Sequence, residues 1–233
     1  MSWNWQIIGE GGLQFFGKMS ASISHEIKNV IAIINENAGL LDDLTVMAEK
    51  GMPIDPQRLK TQASRIQKQI QRADGIVKSM NRLAHSVDEP QKEVDLHDAL
   101  GLLCGLSARF ASMRGVTLEL QPASRPVTTM TSPFFFQNLI WLCLDFAMGA
   151  TGSGKAVRLS AEKSESGARI TLSGLHNLDK MDLGGFPGER GNALLNALKG
   201  ELEMHKETGE LILTLAKDLG GGPGPLLDER KPL

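Results

Sequence analysis

The sequence predicts an α+β protein. An N-terminal antiparallel helical hairpin pairs with a second copy as a dimeric four-helix bundle, and an α/β-sandwich domain follows it. Three observations carry this reading. Two long segments hold apolar residues at heptad spacing. The polar, proline-containing stretch "SVDEPQKEVDL" (Ser86 to Leu96) ends that pattern. Beyond it, short alternating segments interleave with helical ones.

In the first helix, Phe16, Ile23, Ile27, Val30, Ile34, Leu41 and Leu44 fall on one stripe. In the second, Leu59, Ala63, Ile66, Ile70, Ala73, Val77, Met80 and Ala84 step alternately by four and three. Between them Gly51, Pro53 and Pro56 break the chain, and Asp55 is placed to cap the restart with Pro56 at its first position. One hairpin cannot bury so long a seam, whereas two copies can, so a homodimer is expected. The domains are then a tail over residues 1–12, the hairpin over 13–88, a linker over 89–94, the sheet domain over 95–218 and a flexible Gly/Pro-rich tail over 219–233.

Within the sheet domain, "LHDALGLLCGLSARFASMRG" reads as a helix closed by Gly115, and "VTLELQ" as a strand. "SPFFFQNLIWLCLDFAMGA" reads as a buried helix with Ser132 as its cap and Pro133 in its first turn. "KAVRLSAEK" and "ARITLSG" are strands around "SESG". "ERGNALLNALKG" is a helix ending at Gly200, and "GELEMHKETGELILTLAK" is a hairpin turning at "KETG". These strands are expected to form one mostly antiparallel sheet backed by helices.

Composition narrows the function classes. The 233 residues are 41% hydrophobic and 22% charged, with a net charge of -2, so no global charge draws the chain to nucleic acid or to a membrane. The apolar run "FFFQNLIWLCLDFAMGA" carries Gln137, Asn138 and Asp145 and reads as too short for a bilayer span. The N-terminus lacks the basic start and cleavage site of a signal peptide. Cys104 and Cys143 form neither a metal pair nor a disulfide framework, which fits a reducing cytoplasm. His85, His97, His176 and His205 show no ligand spacing, so no metal is expected.

His25 is different. With Ile23, Ile27, Val30 and Ile34 on the seam, it faces solvent, and Asn29 shares its face one turn on. Glu26 lies about 100° round the helix. The run "SHEIKNVIAII" resembles the phosphoacceptor box of histidine kinases: His, then Glu or Asp, two variable positions, Asn or Thr, then Pro. Val30 stands where Pro is usual. "QRADGIVKSMNRLAH" resembles the family's second helix, so the likeness covers roughly residues 13 to 90. It implies that His25 is phosphorylated. Glu26 would orient the ring and stabilise the imidazolium as it forms, and Asn29 would hold a phosphoryl oxygen or a water.

The second domain resembles the family's ATP-binding domain, but its site residues depart from the pattern. Trp141 and Asp145 stand where two asparagines would face Mg²⁺ and the phosphates. Ser173 and Gly174 stand where Asp-x-Gly-x-Gly would read adenine, with "DLGG" (Asp182 to Gly185) a displaced substitute. The glycine-rich lid is shortened. No ATP or Mg²⁺ is therefore expected. "GATGSGKA" (Gly149 to Ala156) nearly matches a phosphate loop, but it follows a helix and precedes a strand, the reverse of the order that aims amides at phosphate.

The resemblance thus implies a cytoplasmic, dimeric two-component phosphotransfer protein. It exchanges phosphate between His25 and the aspartate of a response regulator receiver domain, without membrane or nucleic acid. The alternatives are an autophosphorylating kinase using Mg-ATP at a divergent site, and a non-catalytic scaffold or phosphatase adaptor. The basic run Arg58, Lys60, Arg65, Lys68 and Arg72 reads as a solvated face that could assist docking of an acidic receiver.

Overall fold

The computed structural model describes residues 3–123, 125–152, 154–165, 167–178 and 185–217. Two compact units are present. One is Met19–Ala84, and the other joins Met1–Lys18 to His85–Leu233.

The helical unit is an antiparallel hairpin. Helix α1 spans Trp3–Glu49 and α2 spans Pro56–Ala84. Asp55 caps α2 as its position predicts, its Oδ1 accepting from Gln57 N at 2.9 Å. Ile23, Val30, Asn37 and Leu44, each seven residues apart, are all buried. On α2, Leu59, Ile66 and Ala73 are half-buried, as are Gln62, Gln69 and Ile76, and Leu83 is buried. The row Ala63, Ile70, Val77 stays exposed, as does Met80.

Two sequence expectations need correction here. Residues 3–12 are not a tail but the start of α1, and they belong to the sheet unit together with residues 13–18. The helix changes its buried face as a result. Phe15 and Met19 are fully buried, while Phe16, expected on the seam, is exposed. Gly11 and Gly12 give this helix its close approach. A Cβ at Gly11 would lie 2.6 Å from Arg190 Nε, and one at Gly12 would lie 3.0 Å from the Phe134 ring.

The sheet unit is a two-layer sandwich. Its five-stranded sheet has the order β2–β4–β5–β7–β6. The strands are β2 (Thr117–Leu120), β4 (Ala156–Ser164), β5 (Gly167–Ser173), β6 (Gly200–His205) and β7 (Glu210–Ala216). The β2–β4 pair is parallel and the others are antiparallel. Helices α3 (Leu96–Met113), α4 (Pro133–Thr151) and α5 (Gly188–Leu198) pack together beside it. The core joins Phe136, Leu139, Ile140 and Leu144 of α4 to Leu159, Ile170, Leu172, Leu211 and Leu213 of the sheet, all of them fully buried.

A separate two-stranded sheet pairs β1 (Lys92–Asp95) with β3 (Thr128–Thr131), so the expected linker over 89–94 runs into a strand. Ser132 stands at the N-cap of α4 without a side-chain cap bond. Helix α5 ends on Lys199 in the left-handed region, one residue before Gly200. At 19 residues α4 is apolar and long enough to cross a membrane, contrary to the sequence reading, but most of it is buried inside the unit. The near phosphate loop is a helix-to-strand turn, as its context predicts, with Gly152 and Gly154 at positive φ. The tail expected over 219–233 lies outside the described residues.

Candidate functional site

His25 and Asn29 are both exposed on one face of α1, one turn apart. Ile23 and Val30, 4% and 0% exposed, anchor the opposite face. The heptad burial that holds α1 in place therefore also presents the imidazole. Glu26 lies between the two faces and is half-buried. Its Oε2 is 3.9 Å from an Arg72 terminal nitrogen on α2. An ion pair this long and this exposed holds the carboxylate by about 1 kcal/mol or less. Sequence reading placed Arg72 among solvated bases; its pairing with Glu26 follows only from the hairpin's register.

The thiols do not compete as nucleophiles. Burial pushes the Cys104 thiol up to about 11 and the Cys143 thiol up to about 12, so both stay protonated at neutral pH.

In the sheet unit, the residues matched to the family's nucleotide contacts are engaged with protein. Trp141 is 2% exposed. Its ring packs on Phe110 at 4.9 Å between centroids, with Lys18 Nζ 6.0 Å from its own centroid. Asp145 is tied to Arg114 twice, through its Oδ1 at 2.6 Å and its backbone carbonyl at 2.8 Å. A second guanidinium, Arg190, donates to the buried Asn138. Burial lowers Arg190 from its ordinary value, and the Asp145 charge partly offsets this. Asn138 is a fully buried carboxamide on α4.

Ser173 closes β5 between Arg158 and Glu210 in the ladder. The loop after it is folded down. Leu175 and Leu178 are each 1% exposed, Leu175 N donates to Gly209 O, and Asn177 N donates to Ala150 O. Gly174 is required there, since a Cβ would lie 2.4 Å from Ala156 O. Of the displaced "DLGG" substitute, residues 182–184 lie outside the described residues.

A hairpin presenting an exposed histidine, followed by an α+β unit, is the arrangement that the resemblance to histidine kinases implies. No family model and no curated protein matches the chain. Among solved structures it is similar to the Acinetobacter baumannii histidine kinase AdeS, at 15% identity over 83% of this chain and 98% of that one, TM-score 0.43. It is similar to a bacterial phosphotransferase at 16% identity over 86% and 95%, TM-score 0.44. It is also similar to a histidine kinase from Burkholderia phymatum STM815, at 15% identity over 87% and 98%, TM-score 0.46.

Proposed function

We propose that the chain is a dimeric, cytoplasmic histidine phosphotransfer protein of two-component signalling, with His25 exchanging a phosphoryl group with the aspartate of a response regulator receiver domain. The observation that carries this reading is the exposed His25 with Asn29 one turn on and Glu26 beside it. In the step itself, a neutral ring nitrogen attacks phosphorus. The P–N bond forms as the aspartyl P–O bond breaks, and the aspartate leaves as carboxylate. The imidazolium so formed keeps its N–H on the other nitrogen, where the Glu26 carboxylate can accept it.

Among the described residues, Trp141 and Asp145 are poorly suited to hold a nucleotide and its metal. A carboxylate already neutralised by Arg114 offers little to Mg²⁺, and Trp141 offers packing instead of an amide. This supports phosphate arriving from a receiver and not from ATP. Mg-ATP is expected to bind more weakly than about 1 mM, about -4 kcal/mol or less favourable. Calorimetry giving micromolar affinity would favour an autophosphorylating kinase instead.

The helper residues separate by assay. Glu26→Gln keeps the shape but removes the charge, and should slow transfer by about tenfold to ten-thousandfold. Asn29→Ala should spare transfer and impair hydrolysis of the partner's phosphate. Following labelled receiver and labelled chain together over time reads both, and equal loss of the two activities in both variants would contradict the division of roles.

A further inference from the structure

The sheet unit carries an apolar groove of about 320 Å³ beside the start of α1. Ile8, Leu13 and Phe16 of α1, Phe134 and Phe135 of α4, and Val87 line it together with two glycines, so no polar side chain faces it. Leu13 is 75% exposed, Val87 56% and Phe16 38%. A contiguous apolar surface left in water is unfavourable and marks a place that something covers. None of these residues belongs to the His25, Glu26 and Asn29 set.

The chain itself supplies an occupant. Strand β7 ends at Ala216, and residues 218–233 lie outside the described ones. Gly220 to Pro225 consists of glycine and proline, the composition of a spacer. Leu226 and Leu227 follow as an adjacent apolar pair, with Asp228, Glu229, Arg230 and Lys231 after them. Reach agrees with this occupant. Thr129 Oγ1 donates to the carbonyls of Ala216 and Lys217, at 3.0 and 3.3 Å, so the segment departs beside β3. Phe134 follows Thr129 on the chain closely enough to lie at most about 18 Å from it. The stretch from Lys217 to Leu226 spans about 30 Å when extended and about 17 Å on average as flexible chain. A free partner would have to find the groove from solution, whereas this tether holds the leucines near it at about millimolar effective concentration.

We propose that Leu226 and Leu227 seat in this groove, so that residues 218–233 fold back as a strap over the start of α1 and its junction with α4. The two leucines cover Leu13, Phe16 and Val87, and the charged run from Asp228 stays in water. The strap uses no residue of the phosphotransfer site, so each of the two readings stands or fails without the other.

The experiment joins the strap to the groove by a disulfide. Gly9 lines the groove, is exposed, and a Cβ there would meet no atom within 4 Å, so Gly9→Cys places a thiol without a clash. Asp228→Cys places the second thiol beside the leucines. Both are made in the full-length chain carrying Cys104→Ser, Cys143 being fully buried. Closure of the ring within one chain is followed in oxidised glutathione by the mass of the linked peptides. Adding Leu226→Asp and Leu227→Asp leaves the tether and both thiols unchanged, and should slow closure by about tenfold or more. Leu13→Asp alters the groove at an exposed position and should slow closure in the same way. Circular dichroism checks that each variant keeps its helices. Equal closure rates with and without the leucines, in folded protein, would overturn the proposal. A disulfide formed between chains, faster at higher protein concentration, would give the groove to a second copy and overturn it as well.

Discussion

Replacing His25 with alanine is expected to abolish phosphoryl transfer, a fall of about ten-thousandfold or more, while leaving the protein folded and dimeric. The chemistry gives the size of the loss. If the ring nitrogen is the atom that takes the phosphoryl group, no neighbour can replace it. Asn29 is an amide, and both cysteines are held protonated by burial. The structure gives the fold's indifference. His25 is exposed, and alanine is the better helix former by about 0.5 kcal/mol. Transfer from a phosphorylated receiver and circular dichroism of the same preparation read the two halves separately. Label retained by His25→Ala in acid-labile form would place the phosphoacceptor elsewhere.

The second large effect is on assembly. Ile70 is 55% exposed in the single chain, and Val77 and Met80 are 44% and 41% exposed along the same side of α2. In the proposed bundle these residues are covered by the partner. Ile70→Asp would bury an unpaired carboxylate at two symmetric places, each costing about 3–5 kcal/mol. Together that weakens association by about ten-thousandfold or more. Because the side chain is exposed before association, the hairpin itself should survive. The expected product is a folded monomer with its helical signal retained. Light scattering would show the change in mass, and an unchanged dimer would put the interface on another face.

Much of this fold is legible because its signals are local. A seven-residue repeat and a Pro/Asp restart are visible without knowing any tertiary contact, and the same repeat places His25 opposite the seam. What escaped the sequence depends on which of several equivalent faces finds a partner. Gln62 and Gln69 interrupt the α2 row that faces α1, so an apolar count favours the row Ala63, Ile70, Val77, which is exposed in the single chain. Phe15 displaces Phe16 because the start of α1 packs with Phe134 of α4, a contact about 120 residues away in sequence. Strands β1 and β3, "KEVD" and "TTMT", are four residues each and show little apolar alternation. At the site, the positions of His25 and Asn29 followed from helical geometry alone. The partners that reshape the chemistry, Arg72 on Glu26 and Arg114 on Asp145, are joined only by the folded chain.

In the proposed function His25 exchanges its phosphate with a receiver and does not draw it from ATP. The most direct test is to offer the full-length chain a receiver labelled on its aspartyl phosphate, and in parallel labelled Mg-ATP without a receiver. Acid-labile label should move to the chain from the receiver and map to His25, and none should move from ATP. Label acquired from ATP alone, or none acquired from any competent receiver, would overturn the phosphotransfer reading.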